Sequence, residues 1–338
     1  MPCVTFGLPD AEWDRGLFES GGHFMQSGAW MAVQQALGDQ VIHQQGDGWR
    51  LSAVVHSGRG LRWLYAPYGP AVADRARLRD AVAAIHAAGR ELKADFVRVE
   101  PDLLVEPEDR QIETVLTGLG ARRVRPVQPR HTLVIDLRRP DEELRGEMLS
   151  GRRRSINTAA KKGITTRRTR AAQEAETFLE LIHKTGERTG FHPHADAYYR
   201  VMCAVLFERE AASLYLADVE GQSVAAVIAF ETPTTGYYGH AADDPELSRR
   251  IVAAAPLAWR IVQDCRAEGR TTFDFWGVTP DDGADHPWAG LSRFKRSFGG
   301  RMVTRPGTYD LPLRPLRYRA YRLAREARGR RHPSGEAA

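Results

Sequence analysis

Cysteine is nearly absent: Cys3, Cys203 and Cys265 are the only three in 338 residues. They form neither a metal spacing nor an even set of pairs, which excludes a cysteine-held metal cluster and a disulfide framework and fits a reducing compartment. No apolar run approaches the roughly 20 residues that a membrane span needs. The opening residues MPCVTFGLPDAEWDRG lack the basic flank and apolar core of a secretory signal, so a cytoplasmic location is expected. A Gly-x-Ser-x-Gly elbow and a P-loop are also missing, which argues against a serine hydrolase and against ATP-driven ligation. Lysine is scarce as well. Of 48 basic residues only Lys93, Lys161, Lys162, Lys184 and Lys295 are lysines.

What remains is the composition of a globular chain, 42% hydrophobic and 27% charged, with a mean hydropathy of −0.43. Its length suits two compact domains, each with its own core. The net charge of +5 is modest, but arginines crowd the stretch from Arg122 to Arg170. Such a field attracts phosphates of RNA, of a nucleotide-sugar or of an anionic membrane; a solvated arginine-rich face is the bland alternative.

Helical and alternating patterns succeed each other twice. In the first half HFMQSGAWMAVQQALG and ADRARLRDAVAAIHAAG read as helices, RLSAVVHS, LRWLYAPYG and DFVRVEP as strands, and ETVLTGLG and HTLVIDL as a further helix and strand. In the second, two helices precede the meander ASLYLADVEG, QSVAAVIAFET and TGYYGHAA; a helix then leads to TTFDFWGV. The fold class is mixed α/β, with one arrangement repeated.

The most informative stretch is Thr271 to Leu313. TTFDFWGV reads as a strand, TPDDGADHPW as the polar loop at its end, and GLSRFKRSF as a short helix closed by Gly299-Gly300. Asp274 lies between Phe273 and Phe275, so it faces away from them and needs a polar partner. Lys295 is the sharpest single candidate, a lysine where arginine is the default in this chain. Asp281, Asp282, Asp285 and His286 could bind or deprotonate an amine, although acidic glycine loops are also ordinary turns.

DFWG, the acidic loop, HPWAG and RFKRSFGG together resemble the C-terminal signature of the Fem family, aminoacyl-tRNA-dependent transferases that add amino acids to peptidoglycan precursors. The resemblance implies tandem GNAT-like acyltransferase domains without a coiled-coil arm. Domain one is expected at 1–140, with the terminal helix 314–330 packing back on it; domain two at 141–313; and 331–338 as a disordered tail. It implies that the Lys295 ammonium stabilises the oxyanion of aminoacyl transfer, and that the Phe294 backbone carbonyl receives the attacking amine. Tyr198, His194, Tyr237, Asp274, Trp276, Glu100 and Arg154 are the implied substrate-binding residues. Of Tyr237 and Tyr238, neighbours on a strand, one should face the site and the other the core. Arg154 and Lys161, seven apart in GRRRSINTAAKKG, are expected to share a helix face suited to phosphates.

No metal or cofactor is implied; aminoacyl-tRNA is the co-substrate. The acceptor is a lipid-linked or UDP-linked muropeptide or a related peptide, the enzyme acts as a monomer, and peripheral contact with an anionic membrane is a further expectation. Ser155-Ile156-Asn157 and Ala32 with Gln34 depart from the family pattern and weaken a UDP-linked acceptor. Three alternatives stand: a tRNA-dependent peptide-bond-forming enzyme of a natural-product pathway, an acyl-CoA-dependent N-acyltransferase of the same fold, and an RNA-binding protein without activity. Ala253 and Ala254, where CoA enzymes carry glycines, speak against CoA.

Overall fold

A computed structural model describes residues 4–58, 60–106, 109–248, 252–281 and 286–331. The chain divides into two compact units, Met1–Arg130 with Thr304–Ala338, and His131–Val303.

In the first unit an eight-stranded sheet runs in the order Thr5–Phe6, Gln40–Gly46, Trp49–Gly58, Leu61–Ala66, Phe96–Val99, Tyr309–Pro312, Arg122–Arg123, with Ala71–Val72 paired to Trp49–Gly58. All neighbours are antiparallel except Leu61–Ala66 and Phe96–Val99. A parallel pair needs a long crossover, and helix Leu78–Glu91 supplies it. Its buried residues Leu78, Ala81, Val82, Ile85 and Ala88 recur at three- and four-residue steps and pack on Leu64, Val97 and Val99 of the two parallel strands.

The second unit repeats the plan. Its seven strands run Arg301–Thr304, His131–Asp136, Thr272–Gly277, Thr235–Asp243, Gln222–Glu231, Ala212–Val219, Ile164–Thr169. Thr235–Asp243 lies parallel to Thr272–Gly277, and helix Ala254–Ala267 makes the crossover, burying Leu257, Ala258, Ile261, Val262 and Cys265. The pairing of the long central strands shifts twice, between Ala217 and Asp218 against Gln222–Glu231 and between Ile228 and Ala229 against Thr235–Asp243. At the second of these Gly239 comes so close that a Cβ would stand 2.6 Å from the Ile228 carbonyl oxygen.

The observed division differs from the expected boundary at residue 140. His131–Asp136 pairs antiparallel with Thr272–Gly277 and so belongs to the second sheet. Conversely, Tyr309–Pro312, expected in domain two, lies in the first sheet beside Phe96–Val99, where the buried Asp310 meets Arg98. Helix Pro315–Arg331 lies on this first unit: Tyr318 and Tyr321 stack on Phe96 with ring centres at 5.3 and 5.1 Å, and the Tyr318 hydroxyl donates to Asp310 at 2.9 Å. The tail 332–338 lies outside the described residues.

Between Lys162 and Arg200 the chain forms an edge strand, Ile164–Thr169, and helix Ala175–Thr189, whose buried Phe178, Leu179, Leu181 and Ile182 make it a packed helix and not an extended arm. Arginines of this stretch are answered by acids, most of them remote in sequence. Arg168 and Arg170 both reach the buried Glu231, at 2.8 and 2.9 Å, and Arg167 bonds Asp218 and Glu174. Much of the apparent positive field is therefore neutralised within the second unit.

Candidate active site

Strand Thr272–Gly277 sorts its side chains by alternation. Phe273 and Phe275 enter the core, while Asp274, only 3% exposed, turns the other way. A carboxylate at that depth needs donors. Asp274 Oδ2 accepts from the Thr132 hydroxyl at 3.1 Å, and Oδ1 accepts from the Trp276 N–H at 2.7 Å. That local turn places Trp276 at φ 65°, rare for a residue with a Cβ, and the pairing with His131–Asp136 slips between Asp274 and Gly277. Beyond the slip Gly277 stands opposite Thr132.

Lys295 reaches the Gly277 carbonyl: its Nζ donates to that oxygen at 2.8 Å. It sits on helix Ala289–Arg296, whose buried face is Ala289, Ser292 and Lys295, three residues apart. Ser292 accepts from the Thr279 N–H at 2.9 Å and so fastens the helix to the loop after the strand. The helix is stopped by Gly299 and Gly300, both at positive φ; a Cβ on Gly300 would stand 2.5 Å from the Val134 carbonyl oxygen. Lys295 is 4% exposed, and burial pushes its ammonium down to about 7, with Asp274 acting in the opposite direction. It is no surface lysine.

Phe294 points into the core of the same unit, packed against Phe298 and Tyr238, and its carbonyl already accepts from the Ser297 hydroxyl at 2.5 Å. An amine approaching that carbonyl would compete with Ser297. Sequence reasoning missed Arg152, which stacks over Phe294 at 4.6 Å and donates to the Ser297 hydroxyl oxygen at 2.8 Å. Its place in a run of three arginines gives no sign of which one turns inward. Thr132 was missed too, although the alternation in HTLVID, with Leu133 and Ile135 in the core, does put it on the Asp274 side.

Tyr237 and Tyr238 separate as strand neighbours must. Tyr238 packs on Phe275 in the core, and Tyr237 meets the Trp276 ring edge-on at 6.1 Å. From Trp276 a row of rings continues through Phe230 at 5.8 Å to His240, and from His240 to Tyr199, Tyr198 and His194 at 5.2, 6.4 and 6.0 Å. Burial holds His240 neutral, pushed down to about 3. His194, Tyr198, Tyr237, Trp276, Asp274 and Lys295 thus belong to one connected part of the second unit.

Two expected residues stand apart. Glu100 belongs to the first unit, where it accepts from the Tyr65 hydroxyl at 2.6 Å, from the Gln128 N–H at 2.9 Å and from the Thr308 hydroxyl. Arg154 is exposed on helix Ser150–Asn157. It does not share a helix face with Lys161: the helix ends at Thr158, and Lys161 lies on a separate turn, Ala160–Lys162, closed by Gly163 at φ 70°. Of the acidic loop, Asp282 and Asp285 lie outside the described residues. His286 Nδ1 accepts from the Trp288 N–H at 3.0 Å, an exposed turn contact.

The model of the FemAB family matches residues 18–223 and 209–326. The chain is 21% identical over 295 residues to lipid II:glycine glycyltransferase of Staphylococcus aureus, covering 65% of this chain and 69% of that protein. Among solved structures, FemX superposes with a TM-score of 0.79 at 19% identity over 93% of this chain and 98% of its own. A tandem GNAT protein from the clavulanic acid biosynthesis pathway superposes with a TM-score of 0.56 at 13% identity, over 92% and 98% of the two chains. The two sheets with their parallel pairs share the fold of FemX and of that tandem GNAT protein.

Proposed function

The chain belongs to the FemAB family, and we propose that it is an aminoacyltransferase that moves an amino acid from aminoacyl-tRNA to an amine of a peptidoglycan precursor. The observation that carries this reading is the buried Lys295, fixed to the Gly277 carbonyl beside Asp274 in the element that bears the family signature.

The acceptor nitrogen attacks the ester carbonyl carbon, negative charge gathers on the carbonyl oxygen, and the acyl C–O bond breaks as the tRNA ribose oxygen leaves with the proton that the amine gives up. The ester is already activated, so positioning and charge stabilisation suffice. Lys295 supplies a positive charge withdrawn from water, where it acts more strongly on an oxyanion than at a surface. Asp274 keeps part of the lysine population protonated near neutrality by opposing the effect of burial. Thr132 and the Trp276 N–H hold Asp274 in place. Tyr237, Trp276, Tyr198 and His194 provide an aromatic row for the acceptor, and Phe294 anchors the catalytic helix through Arg152 and the core.

The test is amide formation from charged tRNA and a muropeptide amine, without ATP or CoA. Transfer that stops when the donor RNA is digested supports the reading. Transfer that requires acetyl-CoA instead would assign the chain to the CoA-dependent alternative. A peptide amine accepted in place of every muropeptide would point to a natural-product pathway.

A further inference from the structure

Helix Pro315–Arg331 buries very little of itself. Of its described side chains only Tyr318 is buried, with Tyr321 and Arg325 half-buried on the same side. Roughly half a turn of the helix away, Leu316, Ala320, Leu323 and Ala327 follow one another in steps of four, three and four and so fall on one line. All four are exposed, Leu316 at 83% and Leu323 at 58%. Among the described residues Leu316 is the most exposed large apolar side chain and Leu323 the third, with Leu149 between them at 64%. A helix that needed only its Tyr318 side for packing would carry polar residues on this line.

The flanks say what the line faces. Between residues 314 and 331 there are eight arginines and one glutamate. Arg314 and Arg317 reach the same Asp95 at 3.8 and 2.8 Å, and Arg322 pairs with Glu326 at 2.8 Å. An apolar stripe bordered by arginine on a helix lying on the protein surface matches an anionic lipid bilayer, with leucines entering the acyl boundary and guanidinium groups at the phosphates. RNA would match the arginines but not the leucines. Among the described residues no helix is long and apolar enough to cross a membrane, so the contact is one of lying on the surface.

We propose that helix Pro315–Arg331 docks the protein on anionic phospholipid membranes through the Leu316–Leu323 stripe and its arginines. This goes beyond the transfer reading and does not depend on it, although it would bring the protein to the surface where a lipid-linked acceptor resides.

The full-length protein is sedimented with vesicles of phosphatidylglycerol and phosphatidylcholine, or of phosphatidylcholine alone. Binding to the anionic vesicles, at least tenfold weaker to the neutral ones and weakened by salt, is expected. The double variant L316S/L323S should lose at least tenfold in vesicle binding while keeping its melting temperature and its transfer rate on a soluble acceptor. Absence of wild-type sedimentation overturns the proposal, as does vesicle binding unchanged in the double variant. A wild-type dimer that becomes monomeric in the double variant would show that a second copy covers the stripe. Vesicle binding abolished by equimolar tRNA, with tRNA affinity lost in the leucine variant, would make the helix an RNA contact instead.

Discussion

The two units place a buried charge at the same point of the same scaffold and treat it in opposite ways. In each, the strand after the crossover helix runs parallel to the end of a meander, and a tyrosine of the meander stands in register with a charged residue: Tyr65 with Arg98, and Tyr237 with Asp274. In the first unit the next strand supplies Asp310, which holds Arg98 in a two-point pair at 2.7 and 2.9 Å. Burial opposes the Arg98 charge, but the Asp310 hydrogen bonds keep its pKa above the usual arginine value. In the second unit the next strand places Val134 opposite Asp274. The cation comes instead from a separate helix, as Lys295, which donates to the Gly277 carbonyl. A saturated pair holds a sheet together; a lysine held near neutrality can change its charge during a reaction.

That contrast can be broken from either side. The largest expected effect is on the structural side. Arg98→Ala leaves Asp310 buried without its charge partner and should lower unfolding free energy by about 3–5 kcal/mol, read by urea denaturation, while turnover per folded molecule stays near wild type. Lys295→Ala should do the reverse. Turnover falls by about 10²- to 10³-fold with folding and acceptor affinity almost unchanged, the scale of one lost oxyanion donor. Lys295→Arg recovers only part of it, because a guanidinium keeps the charge and changes the donor geometry.

The stability of the second unit should carry the cost of its lysine. Below the folded pKa of about 7 both folded and unfolded chains hold the proton, and the full penalty of burying an ammonium is present. As pH rises from 7 towards the ordinary 10.5 the folded chain releases that proton first, so the penalty shrinks. Lys295→Met should therefore raise the melting temperature more at pH 6 than at pH 9. A gain independent of pH would mean that the lysine is not desolvated. The smallest effect belongs to Lys184, which pairs with Asp244 at 2.8 Å with nearly half its side chain exposed. Lys184→Ala should cost under about 1 kcal/mol and leave turnover unchanged.

The crossover helices and the alternation of TTFDFW were legible in the sequence because each is a local pattern in one element. So was Lys295, by its rarity among arginines. Strand Gln40–Gly46 was not, since its HQQG half is polar and it is recognised only by pairing with Trp49–Gly58. Nor was the edge strand Ile164–Thr169. Its arginines looked like a field for phosphates, yet the acids that answer them, Asp218 and Glu231, lie far along the chain. The placement of Tyr309–Pro312 in the first sheet has the same origin: Arg98 and Asp310 are 212 residues apart. The sequence pattern around Phe294 marked the right helix, but the inward turn of Arg152 and the engagement of the Phe294 carbonyl by Ser297 depend on side-chain packing alone.

The central claim is that the Lys295 ammonium acts in the transfer step, and the ratio of single-turnover rates, wild type over Lys295→Ala, tests it across pH 5.5–9. Taking the ratio removes the titration of the acceptor amine, which is common to both proteins. A ratio of about 10² or more at acid pH that declines as pH passes through 7 is the predicted result. A ratio near one throughout would contradict any catalytic role for Lys295, and a ratio that climbs with pH would make the neutral amine, acting as a base, the working form.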